Sequence, residues 1–228
     1  MKYQIVGNNM QALNVILEEG EKVYADSGHL LSKSDNVTMV PRLAGGLVKA
    51  IERKATGTTA MLTEFQSKSG EGIVSVSGIL PGKVVEVDLA PGQGLAVEHD
   101  ALLAVEESVG FTLQRVSLGA AFWGGAGLML QKFTGPGKVF IHVVGDTISH
   151  DLDGTNHIEV DPGHIAAFDS SLSYTIRGVD NVRTAMFGGV GLFLANFTGT
   201  GKLILHSVSR TKLAAELYLT GKELNKGK

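Results

Sequence analysis

The chain contains no cysteine, a single tryptophan and only 5 prolines in 228 residues. Without cysteine there are no disulfide staples, no thiolate metal sites and no cysteine nucleophile. A surplus of positive charge is also missing. Lys and Arg number 20 against 23 Asp and Glu, a formal net charge of −3, so no basic field is available to hold phosphate backbones and generic nucleic-acid binding is excluded. Long apolar runs are absent as well. The most apolar stretch, residues 118–130, is only 13 residues long and rich in glycine, well short of the roughly 20 residues that span a bilayer as a helix. The N-terminal residues alternate polar and apolar and lack the basic segment, apolar run and small-residue cleavage site of a secretory signal. The expectation is a cytoplasmic protein with no transmembrane segment.

What the chain has in abundance is glycine, 30 residues, and a repeat. Residues 122–144 (FWGGAGLMLQKFTGPGKVFIHVV) match residues 186–208 (MFGGVGLFLANFTGTGKLILHSV) at a constant offset of 64. Gly124, Gly125, Gly127, Gly135 and Gly137 fall on Gly188, Gly189, Gly191, Gly199 and Gly201, while Phe133, Lys138 and His142 fall on Phe197, Lys202 and His206. Self-similarity of this kind means that one supersecondary unit is used more than once. A third, more diverged copy lies upstream. Ala44-Gly45-Gly46 answers the diglycine, Met61-Leu62-Thr63-Glu64-Phe65 answers the strand ending in Phe133, and Gly70-Glu71-Gly72 answers the Gly-x-Gly turn. Residues 48–57 are an insertion of helical character in that copy.

Between the glycines lie short β-branched, often alternating segments, among them residues 2–6, 12–17, 22–25, 72–77, 94–98 and 138–144, which read as strands. Turn glycines precede strands at Glu19-Gly20, Pro91-Gly92 and Pro162-Gly163, and the Gly-x-Gly segments read as hairpin reversals. The expected fold is all-β: three repeated antiparallel units, at about 1–78, 79–145 and 146–210, forming one pseudo-threefold β-prism or sandwich-like domain. Residues 211–228 read as a C-terminal helix with Leu213 and Leu217 on one face, followed by a frayed polar tail from Gly221.

The motif Gly-Leu-x-Leu-x-x-Phe-Thr-Gly-x-Gly-Lys, preceded by a diglycine and an aromatic, resembles the altered-inheritance-of-mitochondria 24 family, across roughly residues 1–210. That resemblance implies a fold of the trp RNA-binding attenuation protein-like class and, at most, an assembly or scaffold role. It implies no catalytic residues, and fold alone does not carry RNA binding across.

Each motif with chemical potential has an architectural reading beside it. His142 and His206 occupy equivalent strand positions and, with His164, are the candidate metal ligands of a cupin-like site. The first copy offers Ser75 or Val76 there, so a threefold histidine site is excluded and repeat-derived packing is the favoured reading. The Gly-x-Gly-Lys segments lack P-loop spacing and open strands at Val139 and Leu203. Asp153-Gly154 reads as a hairpin turn rather than half a calcium loop. Ser75 and Ser77 precede Gly78 without forming a nucleophile elbow. Phe122 and Trp123 read as a buried sheet corner, the other reading being a membrane- or subunit-contact patch. The function that fits is a non-enzymatic scaffold or assembly protein without a cofactor, self-associating through strand edges. A cupin-like metal- or small-molecule-binding enzyme and an RNA-binding module are the alternatives.

Overall fold

The computed structural model describes residues 1–43, 61–116, 128–178 and 193–226. The diglycines at 45–46, 124–125 and 188–189, together with Gly127, Gly191, the 48–57 insertion, Phe122, Trp123 and residues 183–186, whose β-branched and apolar character also reads as a strand, lie outside the described residues.

The described chain is mostly antiparallel strand, as its glycine-punctuated β-branched segments predict. In chain order the strands are β1 (Lys2–Val6), β2 (Ala12–Leu17), β3 (Lys22–Ala25), β4 (Leu30–Lys33), β5 (Val37–Leu43), β6 (Met61–Ser67) and β7 (Gly72–Ser77). Next come β8 (Gly82–Leu89), β9 (Gly94–Glu98), β10 (Leu102–Glu106), β11 (Gly110–Val116), β12 (Leu128–Thr134) and β13 (Gly137–Val144). The last set is β14 (Thr147–Asp153), β15 (Ile158–Val160), β16 (Ile165–Asp169), β17 (Ser173–Gly178), β18 (Phe193–Thr198) and β19 (Thr200–His206), followed by helix α1 (Arg210–Lys226). The helix runs through Gly221, where a frayed tail is expected, because most of the residues after it (Lys222, Glu223, Leu224 and Lys226) are good helix formers.

Four sheets result. Their strand orders are β1-β2-β7-β4, β5-β6-β3-β10-β13-β8, β11-β12-β9-β16-β19-β14 and β15-β18-β17. Adding six to every label of the first six-stranded sheet reproduces the second. The four- and three-stranded sheets contain the same orders in pieces, β2-β7-β4 matching β8-β13-β10, and β15-β18-β17 matching β9-β12-β11.

Pairing partners correct two sequence readings. The Gly-x-Gly segments join β6 to β7, β12 to β13 and β18 to β19, and none of these pairs is hydrogen-bonded to each other. They are crossovers between sheets, not hairpins, because the strand after each one finds its partners far away in sequence. Asp153-Gly154 likewise joins β14 to β15, which belong to different sheets. Its place matches Gly20 and Gly92, so Gly154 is the third turn glycine. Pro162-Gly163 sits instead in a one-turn 3-10 segment, residues 162–164, that matches those at residues 27–29 and 99–101.

The Gly-x-Gly crossover has a recurring lock. After Gly137 and Gly201, at φ 131° and 155°, the Lys138 N–H donates to Glu106 Oε2 and the Lys202 N–H donates to Asp169 Oδ2, both at 2.8 Å. At the corresponding place the Ile73 N–H donates to Ser34 Oγ at 2.9 Å. Phe65, Phe133 and Phe197 are each buried in one of three apolar clusters. They face Val23, Leu95 and Ile158 across their ladders.

Candidate functional site

Strands β3, β9 and β15 are each followed or closed by an acid that caps the next 3-10 turn. Asp26, Glu98 and Asp161 accept the N–H of Gly28, Asp100 and Gly163 at 2.8, 3.0 and 2.9 Å. An acid at this place satisfies backbone donors that a single helical turn leaves open. These turns carry His29, the Glu98–Asp100 pair and His164 toward the ends of β13 and β19, where His142 and His206 lie.

The ladders settle which first-copy residue matches the histidines. Val76 pairs with Leu30, Ile141 with Leu102 and Leu205 with Ile165, each just before a register shift. The following residues are Ser77, His142 and His206, so the match is Ser77 rather than Ser75 or Val76. Sequence spacing alone slips by one because the first Gly-x-Gly is aligned through a diverged segment. The Ser77 hydroxyl donates to the Gln11 carbonyl at 3.1 Å, and that of Ser75 donates to Asn14 Oδ1 at 2.8 Å.

His142 and His206 are both buried, at 4% and 3% exposure. The Val144 N–H donates to His206 Nδ1 at 3.0 Å, which fixes the ring proton on Nε2. Burial pushes His206 down to about 4, helped by His142, Arg210 and His164 nearby. His142 is also pushed down to about 4, first by burial, then by His29 and Arg210, against a hydrogen bond to the Leu80 backbone. Its ring lies where a Cβ on Gly78 would be, 2.2 Å away, and one on Gly82 would meet Nε2 at 2.6 Å. Only glycine admits the ring at these two places.

His164 Nδ1 meets the His206 carbonyl at 2.8 Å, and His29 Nδ1 meets the Leu102 carbonyl at 3.1 Å. The sequence reading singles out the first of these and passes over His29, although Asp26-Ser27-Gly28-His29 recurs as Asp161-Pro162-Gly163-His164, a four-residue match too short to stand out. Four imidazoles therefore gather near one another, and each has a nitrogen or ring face committed to backbone. Among the described residues, no group of three or more His, Asp or Glu side chains is placed to hold a metal ion.

Glu98, Asp100 and Arg210 form a second cluster that sequence reading misses. Arg210 opens α1 and reaches Asp100 at 2.7 Å and Glu98 at 3.7 Å. Burial pushes the Glu98 carboxyl up to about 7, Asp100 adds to the rise, and Arg210 opposes it. Lys212 reaches Asp161 at 2.8 Å, so the first turn of the helix is tied to two of the 3-10 turns. Beyond that turn Leu217, Tyr218 and Leu219 are exposed. No helix of the described residues is long and apolar enough to cross a membrane.

The remaining polar groups hold strands together. The Arg42 guanidinium grips Glu64 with two bonds of 3.1 Å, Tyr24 adds a hydroxyl at 3.3 Å, and this partnership holds the Glu64 carboxyl below its ordinary range. Lys138 pairs with Glu86 and Asp88 and Lys202 with Asp151 at 3.7 Å. Both lysines open strands, and their side chains are taken by carboxylates. Asp153 Oδ1 is taken by the Thr155 hydroxyl and the Thr155 and Asn156 N–H groups. A cleft of about 510 Å³, lined by Gln93, Thr112, Lys132, Thr134, Asp169 and Ser170 among others, lies at the β9–β16 contact.

Comparison with known proteins agrees with this architecture. The family model for AIM24, described as mitochondrial biogenesis AIM24, matches residues 3–208. An uncharacterised protein of Streptococcus pyogenes serotype M6 is 26% identical over 212 residues, covering 90% of this chain and 84% of the relative. An X-ray crystal structure of a Streptococcus pyogenes protein superposes with a TM-score of 0.79 at 24% identity, covering 96% of this chain and 99% of that one. That likeness is one of fold.

Proposed function

This chain belongs to the AIM24 family, and from that premise we propose that it is a non-enzymatic β-rich scaffold that associates with copies of itself. Its body is three units of one design, about 1–78, 79–145 and 146–210. One observation carries the reading: the buried histidines and carboxylates are spent on holding elements together. His206 accepts from Val144, His29 meets Leu102, Glu64 is gripped by Arg42, and Glu106 and Asp169 lock the crossovers. A catalytic site needs a nucleophile, base or electrophile left over and aimed at a common point.

The three-unit design is supported by the strand orders that recur on adding six, and by a register shift at the same place in β4, β10 and β16. Light scattering across a dilution series tests the association. The expected result is a mass that rises with concentration. A strictly monomeric species throughout would sink the self-association.

A further inference from the structure

Two inter-unit contacts are built inside the chain, and they are the same contact. At the first, β10 pairs with β3 through Ala104↔Ala25, Val105↔Tyr24 and Glu106↔Val23. At the second, β16 pairs with β9 through Ala167↔Val97, Phe168↔Ala96 and Asp169↔Leu95. Each completes a six-stranded sheet. The matching strands at the two ends of the chain are β4 and β15. Among the described residues β4 pairs only with β7, and β15 only with β18.

The burial of these strands reflects the difference. The bulged residues Leu103 and Ala166 are completely buried at the built contacts, whereas Leu31, at the same place in β4, is 61% exposed. The Asp26 N–H donates across the first contact to the Leu103 carbonyl at 3.2 Å, and the Leu31 carbonyl is the matching acceptor. An unpaired row of backbone donors and acceptors beside an exposed leucine is a template for another strand.

We propose that β4 of one copy pairs with β15 of a second copy, so that chains join head to tail by completing a third six-stranded sheet. The proposal rests on the self-association argued above and names its surface. Transposing the register of the built contacts places Ser32 opposite Val160 and Lys33 opposite Glu159. Opposite charges directly across an antiparallel ladder attract, and at this one contact they replace the apolar pairs Val105↔Tyr24 and Phe168↔Ala96. The junction is therefore a more polar version of the two internal ones and weakens with salt. Because the two joined surfaces differ, the contact is heterologous, and repetition gives rings or open chains rather than closed pairs.

Charge reversal tests the pairing. Lys33→Glu and Glu159→Lys are prepared separately and their association at low salt is followed by sedimentation. Each alone places like charges across the ladder and should raise the dissociation constant about tenfold. An equimolar mixture should recover association, since the reversed charge at position 33 of one chain then meets the reversed charge at position 159 of the other, which closure within a single chain cannot produce. Lys33 also donates to the Val37 carbonyl at 2.7 Å, so Glu159→Lys, whose carboxylate is bonded among the described residues to Asn196 alone, is the independent arm. Association that neither reversal weakens overturns the edge pairing while self-association stands. A parent chain that never associates overturns both.

Discussion

His206 shows how little of a side chain's chemistry its type decides. The same imidazole that would serve a metal site is here an acceptor for the Val144 N–H, and burial holds it neutral down to about 4, as it does His142. An unfolded histidine titrates near 6.5. Between about 6.5 and 4 the unfolded chain binds more protons, so stability is lost as pH falls through that window. The loss is on the order of 3 kcal/mol per ring by its lower end. Urea unfolding measured from neutral to acidic pH should show it, and His206→Gln, which keeps an acceptor, should flatten the slope. An unchanged slope in that variant would count against the role. Glu98 works in the opposite sense. Its carboxyl, ordinarily at 4.5, is raised to about 7, so the folded chain binds the extra proton and Glu98's contribution is lost as pH rises through that interval. Glu98→Gln should therefore steepen the overall rise of stability with pH between about 4.5 and 6.5, because only the histidine term remains. At Gly82 a Cβ would lie 2.0 Å from the Val143 carbonyl oxygen, which is backbone and cannot step aside. Gly82→Ala should cost about 2–3 kcal/mol, visible as a lowered Tm.

At the scale of elements, period-two strands are legible in the sequence and the bulged strands β4 and β10 are not. ALNVIL at β2 and GIVSVS at β7 alternate, and the pattern gives their limits to the residue. LLAVE at β10 and LLSK at β4 do not alternate, because a bulge interrupts the period and β10 is buried on both faces. Periodicity does not find these two. Turn chemistry fails differently. Gly-x-Gly correctly marks a reversal, but which strands then pair is decided by distant partners, so a crossover reads locally as a hairpin. The site is legible where a long repeat flags it: His142 and His206 stand out, His29 shares only the short Asp-x-Gly-His pattern of residues 26–29 and 161–164, and Glu98 and Arg210 carry no such match. The crossover locks give a direct comparison. Glu106→Ala and Asp169→Ala each leave a lysine N–H without its charged acceptor, and each should cost about 1–3 kcal/mol in urea unfolding. Ser34→Ala removes a neutral acceptor and should cost less. For α1, the ion pairs at Arg210 and Lys212 predict slower hydrogen exchange at Leu213, whose N–H donates to the Ser209 carbonyl at 2.9 Å, than around Leu217–Leu219.

For the whole molecule, the all-β class and the C-terminal helix follow from glycine punctuation and the final switch to helix formers, while the division into four sheets does not. That division depends on pairings such as β3 with β10 and β9 with β16, made between segments about 70–80 residues apart that no local pattern connects. The crossovers have a mechanical consequence. In stacked repeat proteins each unit touches its neighbours through surfaces, and units can peel away one at a time. Here β6 and β7, like β12 and β13, are successive strands committed to different sheets, so neighbouring stretches of chain are interlocked as links are. Pulled from its ends, such a molecule should yield in one rupture rather than a ladder of three, and a single-molecule force trace would read the difference directly.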